Sequence, residues 1–370
     1  MGQPIYLHFF GTGKTIAACE WIKMRPQTHS KTLVICPKAI VGKWERDLQE
    51  WCATADICSM SQIHKIRLNQ YKTIVIDEAQ HFASPLFDKS RSQRTEAIYN
   101  YCKSNPTAHI LLLSATPIRS TPWNAQTLGT FLGHYWDHRQ FRQTFFYFTD
   151  MFGIWHWEPK SDWRVQIRPY LERISDIVLL SDCVDVPKQH ERVIRIPWTQ
   201  DQESALDKTV EPSKEWHNRH RAEQGKKKFD ELDKILNGYR KVIVVCNYTQ
   251  QIDDYVKWIG KDRQVYVLDG RTKDQDAVIE AAKKADDCVF IIQASMGAGF
   301  DAGEFSVVVF ASMSFRFVDY IQMQGRVLRV NNLHENVFYY LIAGQCDKAV
   351  FEQVKKGLDF HPPHYKGARV

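Results

Sequence analysis

Residues 73–81 read Thr-Ile-Val-Ile-Asp-Glu-Ala-Gln-His. A short apolar run, Thr73–Ile76, is followed at once by two acids, Asp77 and Glu78. A run without polar alternation is apolar on both faces. Strands are like that when helices cover both sides of a parallel sheet. At the carboxyl end of such a strand, an acidic pair lies in the crevice where α/β sheets bind ligands. Alone, the same residues also fit a solvated acidic turn, so their surroundings decide.

Runs of the same kind recur outward from this one. Upstream and downstream in the first half are Leu33–Cys36 and Ile110–Leu113. The second half has Val242–Cys246, Val265–Leu268, Val289–Ile292 and Val307–Phe310. Helix-like stretches separate them, which predicts an α/β architecture formed twice. The 370 residues exceed what one hydrophobic core usually holds, which also favours two domains. Between the halves the pattern breaks. Phe131–Leu171 is crowded with aromatics, including Trp136, Trp155, Trp157 and Trp163, and Thr199–Lys241 is polar and charged. The expected division is a first domain over 1–185, with an aromatic-rich helical insert at about 131–171. A second domain covers 186–356, and a loose tail covers 357–370.

The N-terminal segment supplies a companion to the acidic pair. Gly11-Thr12-Gly13-Lys14-Thr15 follows the apolar Ile5–Phe10 and precedes Ile16–Met24, which reads as a helix. Strand, glycine loop and helix in this order are the context a P-loop needs. Glycines let backbone N–H groups approach phosphate oxygens, and the helix N-terminus adds partial positive charge. Lys14 would reach the β- and γ-phosphates, and Thr15 would hold Mg²⁺. The full pattern wants a glycine at position 8, which is His8. The bland alternative is a glycine turn with a solvated lysine. With a P-loop upstream, Asp77 becomes a second Mg²⁺ contact, and Glu78 becomes the group that orients and deprotonates an attacking water.

Composition narrows the classes. With 44% hydrophobic and 25% charged residues, the chain is that of a globular protein, not a disordered one. No apolar run approaches the roughly 20 residues that span a bilayer, so no membrane partner is expected. The first ten residues carry no Lys or Arg and do not resemble a signal peptide. Nine scattered cysteines without a C-x-x-C pair argue against zinc and for reduced thiols in a cytoplasmic or otherwise intracellular protein. A net charge of +6 permits a nucleic-acid partner without requiring one.

Taken in order, these segments resemble the motifs of superfamily 2 helicases and translocases. Gly11–Thr15 resembles motif I, and Asp77–Gln80 is a DEAQ form of the DExx box. Thr32–Trp51 resembles motif Ia of the Swi/Snf-type (DEAD/DEAH-like) branch, with a strand, Cys-Pro and a Trp-containing helix. Ser92–Thr95 is similar to the Ser-x-Arg-Thr segment of that branch, and Ser114–Pro117 to motif III. Val242–Thr249, Leu268–Gly270 and Gln293–Asp301 are similar to motif IV, the Asp-Gly turn after it, and motif V. Gln322–Arg329 fits the Q-x-x-G-R-x-x-R of motif VI.

This resemblance implies two RecA-like domains with parallel sheets covered by helices, and ATP with Mg²⁺ in a cleft between them. It assigns Lys14, Glu78, Gln80, Arg326 and Arg329 to catalysis, with Gln80 sensing the γ-phosphate. It gives nucleotide contact to Gly11, Thr12, Gly13, Lys14, Thr15, Gly299, Asp301 and Gln322, and metal contact to Thr15 and Asp77. A guanidinium supplied in trans stabilises charge developing on the γ-phosphate. Lys38, Gly270, Gln293 and Gly297 lie in motifs that touch the nucleic-acid backbone. Ser114 and Thr116 would couple the acidic box to that surface, or would only cap a turn.

Backbone contacts carry no base information, so binding without sequence specificity is expected. The expected activity is a DNA-stimulated ATPase working as a helicase or duplex-DNA translocase. The expected partner is duplex or forked DNA, with RNA second. The motor is expected to be compact and monomeric, of phage or bacterial type, with an accessory protein possible. Two alternatives stand beside it: an RNA helicase, or a nucleic-acid-binding regulatory module whose ATPase has decayed. Lys226–Lys228 reads as a solvated face or as added nonspecific affinity. The aromatic stretch reads as core packing or as a base-stacking surface.

Overall fold

The structure is a computed structural model. It describes residues 5–8, 12–25, 31–86, 91–116, 118, 121–151, 154–178, 180–183, 185–186, 188–197, 220–297, 300–328, 334–357 and 359. The chain forms two compact units, Met1–Val184 and Asp185–Val370.

In the first unit the order is β1 (Ile5–His8), α1 (Lys14–Lys23), β2 (Lys31–Cys36), α2 (Val41–Glu50), β3 (Asp56–Ser59), β4 (Tyr71–Ile76), α3 (Gln93–Ser104) and β5 (His109–Leu113). Then come α4 (Trp123–Phe131), α5 (His138–Phe145), β6 (Phe146–Met151), β7 (Ile154–Pro159), α6 (Trp163–Ile174), β8 (Ser175–Val178) and the short α7 (Leu180–Cys183). Six strands make one sheet in the order β3-β2-β4-β5-β1-β8, and every pairing is parallel. The glycine loop therefore follows a strand with neighbours on both sides, and β5 alone separates it from the strand that ends in Asp77.

Alternation along the strands divides the core in two. Leu33, Ile35, Ile74, Ile76, Ile110 and Leu112 belong to one apolar cluster. Their neighbours Val34, Cys36, Val75, Leu111 and Leu113 belong to another on the opposite face. That is why these runs show no polar alternation. Fully burying each such side chain contributes about 1.5–3 kcal/mol.

The second unit repeats the scheme: β9 (Gln189–Ile196), α8 (Lys226–Leu236), β10 (Lys241–Cys246), α9 (Thr249–Ile259), β11 (Val265–Leu268), α10 (Gln275–Lys284), β12 (Cys288–Gln293), β13 (Val307–Phe310), α11 (Phe317–Val327), β14 (Asn336–Ala343) and α12 (Gly344–Lys355). Its sheet runs β11-β12-β10-β13-β14-β9, again all parallel. Ile243, Val245, Phe290 and Ile292 face one cluster, and Val242, Val244, Val289 and Ile291 face the other.

Two expectations need correction. The stretch expected to be a helical insert, about 131–171, carries an antiparallel hairpin at its centre, β6 paired with β7. Its aromatics divide. Phe141, Phe145, Trp163 and Tyr170 are buried in the first unit's core, whereas Tyr147 and Phe148 are exposed. The run Lys226–Lys228 is not simply a solvated face. Lys228 is fully buried, donating to Gln224 Oε1 at 2.7 Å and the Ala311 carbonyl at 2.6 Å, and it is paired with buried Asp347.

All nine cysteines are free of disulfides. Among the described residues, no helix is long and apolar enough to cross a membrane, and no cluster of His, Cys, Asp and Glu is arranged to hold a metal.

Candidate nucleotide site

Gly13 is the residue before α1, with φ +81°, a left-handed conformation that only glycine adopts without strain. Its carbonyl accepts the first helical bond, from Ala17 N at 3.0 Å. Lys14 and Thr15 open the helix, so their N–H groups lie at its N-terminus. Gly11 lies outside the described residues.

At the end of β4 the chain turns sharply. Glu78 has φ +49°, uncommon for a residue with a side chain. Such conformations persist where the surroundings hold them, and here the preceding residue, Asp77, is held on its backbone and on both side-chain oxygens. Asp77 N donates to Ile35 O at 2.8 Å, continuing the sheet. Glu78 N donates to Asp77 Oδ1 at 2.8 Å, and Trp44 Nε1 donates to Asp77 Oδ2 at 3.0 Å. Burial, and then the adjacent Glu78, push the Asp77 carboxyl up to about 6, while the Trp44 hydrogen bond and the charge of Lys14 pull the other way.

Gln80 is almost fully buried. Its amide nitrogen donates to Glu78 Oε2, and its oxygen accepts from Ser114 Oγ at 2.7 Å. Ser114 ends β5. Its N–H donates to Tyr6 O on β1 at 3.1 Å, and its hydroxyl accepts from Thr116 N at 3.0 Å. Ser114 thus ties the glycine-loop strand to the acidic box. Thr95 Oγ1 donates to Phe82 O at 2.7 Å, and Ser92, which caps α3, accepts from Thr95 N. The Ser92–Thr95 segment therefore fixes the turn that follows the box.

These residues suit a nucleotide with Mg²⁺. A hard cation takes carboxylate and hydroxyl oxygens together with phosphate oxygens. Each Asp77 oxygen accepts one N–H, leaving a lone pair on each. The charge of Lys14 already reaches Asp77, and Thr15 follows Lys14 on the same helical turn.

Lys38 is exposed in the turn Lys38–Ile40 that follows β2. In the second unit, Gly270 N donates to Gln293 Oε1 at 3.2 Å, joining two of the expected backbone-contact positions. Gly297 is buried, and a β-carbon there would meet Met323 Cε at 3.1 Å. Arg326, 7% exposed, donates through Nε to Gly297 O and through Nη1 to Phe300 O at 2.9 Å. Its guanidinium therefore ties α11 to the loop after β12. Asp301 Oδ1 accepts from Gly303 N at 3.0 Å, and Gln322 is buried on α11. Gly299 and Arg329 lie outside the described residues.

Sequence reasoning missed Trp44. The only signal was its place in the Trp-containing helix of the Thr32–Trp51 segment.

Residues 227–331 match the family described as helicase conserved C-terminal domain. The span contains Gly270, Gln293, Gly297, Gly299, Asp301, Gln322, Arg326 and Arg329. Among curated proteins no relative matches. The chain is similar in structure to S. cerevisiae Dbp5 bound to RNA and ADP BeF3, with TM-score 0.57, 13% identity, and coverage of 97% of this chain and 84% of that one. It is also similar to the Sulfolobus solfataricus SWI2/SNF2 ATPase core in complex with dsDNA, with TM-score 0.40, 15% identity, and coverage of 96% and 86%. The fold is a two-domain RecA-like α/β fold.

Proposed function

We propose that this chain is a superfamily 2 ATPase of the Swi/Snf type. It couples ATP hydrolysis to movement along DNA, as a duplex translocase or a helicase, without sequence specificity. The observation that carries the reading is the connected set Glu78–Gln80–Ser114 beside a glycine loop that opens a helix. It joins the group that would handle the attacking water to the strand that presents the phosphate loop.

In this reading Lys14 and the amides of Thr12 and Gly13 hold the phosphates. Glu78 orients and deprotonates water, with its carboxylate steered by Gln80. Thr15 and Asp77 would hold Mg²⁺, which neutralises charge on the phosphate oxygens when bound. Arg326 and Arg329 of the second unit would supply charge in trans. Such a dependence turns each hydrolysis into a conformational step. Lys38, Gly270, Gln293 and Gly297 would follow the nucleic-acid backbone. The Thr32–Trp51 and Ser92–Thr95 resemblances favour DNA over RNA. The reading places the chain inside the cell as a monomeric motor of phage or bacterial type.

Steady-state ATPase measurements with no nucleic acid, duplex DNA and RNA test the proposal. Stimulation is expected, greater with DNA. Lys14→Ala and Glu78→Gln should each lower turnover by at least about 10²-fold, the scale of a lost phosphate clamp or general base. A folded chain that no nucleic acid stimulates would sink the reading. Stimulation by RNA alone would replace it with an RNA helicase.

A further inference from the structure

We infer that Trp44 is a positioning residue for the metal-binding carboxylate. This rests on the nucleotide-site reading above and extends it to a residue on another element. Trp44 is 1% exposed on α2, packed in the cluster that contains Val34, Val75 and Leu48. An indole N–H so deeply buried needs an acceptor. The acceptor is not a backbone carbonyl but Asp77 Oδ2, at 3.0 Å.

Asp77 is thus gripped twice. Glu78 N holds Oδ1 along the chain, and Trp44 holds Oδ2 from the neighbouring helix. Two donors on different oxygens fix the rotation of a carboxylate, and donors to an ionised group are the stronger kind. Without the indole donor, one oxygen would be released and the carboxylate would be free to turn about its remaining bond. Cation affinity depends on the orientation of its ligands, and removing outer partners of a ligand typically weakens it about 10–100-fold.

Shape and hydrogen bonding can be separated. 3-Benzothienylalanine placed at position 44 keeps the bicyclic outline but has sulfur where the indole has N–H. Packing is retained and only the donor is lost. Trp44→Phe removes the donor together with part of the ring. Full-length chains are loaded with a non-hydrolysable ATP analogue and titrated with Mn²⁺, and free Mn²⁺ is read by electron paramagnetic resonance. Nucleotide affinity is measured separately in EDTA, and folding is checked by thermal melting.

The sulfur analogue is expected to weaken Mn²⁺ binding by about tenfold or more. Its nucleotide affinity in EDTA should match that of the unmodified chain, and it should still melt in one cooperative transition, lowered only by the loss of one buried hydrogen bond. In an Asp77→Ala background the same exchange should change nothing further. Unchanged Mn²⁺ affinity in the analogue, with the unmodified chain binding Mn²⁺ normally, overturns the inference and leaves Trp44 as packing. An equal loss in the Asp77→Ala background overturns it too, because the effect would not pass through that carboxylate. If the unmodified chain holds neither nucleotide nor Mn²⁺, the site reading itself has failed, and that result is distinct from the other two.

Discussion

Ser114 shows how much one hydroxyl can connect. Its backbone is bonded to β1 and its side chain to Gln80, which reaches Glu78. Ser114→Ala would leave the Gln80 oxygen buried without that donor, a cost of about 1–3 kcal/mol. Because Gln80 steers Glu78, we expect turnover to fall roughly tenfold, the rate equivalent of about 1.4 kcal/mol. Nucleotide affinity should hold within about twofold, since no phosphate contact is lost. Parallel measurements of kcat and of nucleotide binding check this. A loss confined to affinity would assign Ser114 to the phosphate loop instead. At this scale, Asp77 and Glu78 were legible because their chemistry shows locally, as acids ending an apolar run. Trp44 was not, because its partner lies 33 residues away and only the sheet brings the two together.

At the scale of elements, legibility follows burial. The strands inside both sheets were readable because two apolar faces leave an unbroken run. The edge strands β3, β8 and β9 were not, because half of β9, the middle of β8 and the start of β3 are exposed, whereas the edge strand β11 was, because its four residues are apolar throughout. β14 escaped for another reason. Tyr339 and Tyr340 interrupt its apolar run, yet their hydroxyls are satisfied by Tyr239 at 3.0 Å and Tyr320 at 3.1 Å. The lysine run that opens α8 misled most, because pairing decides the fate of a charge and sequence does not show the pair. Asp347 sits in the first turn of α12. It accepts from Ala343 N at 2.9 Å and from Lys228, and its other oxygen meets His220 Nε2 at 3.0 Å. Burial alone would raise this carboxyl, but Lys228 and His220 hold it below its ordinary value. Lys228→Met would strand a buried charge, so the second unit should lose about 3–5 kcal/mol. The double variant Lys228→Met with Asp347→Asn removes both charges and should recover part of that loss. Urea unfolding gives the totals, and hydrogen exchange in Gly344–Lys355 localises them. If the double variant is no more stable than the single one, the pair is not what makes Lys228 matter.

For the whole molecule, the question is whether two RecA-like units act as one machine. The proposed function requires a guanidinium from the second unit during hydrolysis in the first. Arg326, however, already donates to the carbonyls of Gly297 and Phe300, so it has a structural duty as well. The two duties predict different outcomes. If Arg326 only ties α11 to the loop after β12, Arg326→Lys should lower stability while turnover per folded molecule persists. If it also serves hydrolysis, turnover should fall by about 10³-fold or more, the scale of a removed arginine finger. Nucleotide affinity should then stay near that of the unaltered chain, because Thr12, Gly13 and Lys14 lie in the other unit. Lysine keeps the charge but loses the planar fork, so it cannot reproduce both carbonyl bonds. Single-turnover hydrolysis, corrected for folded fraction, separates these outcomes. Turnover within tenfold of the unaltered chain would remove Arg326 from the chemistry and leave the trans role to Arg329.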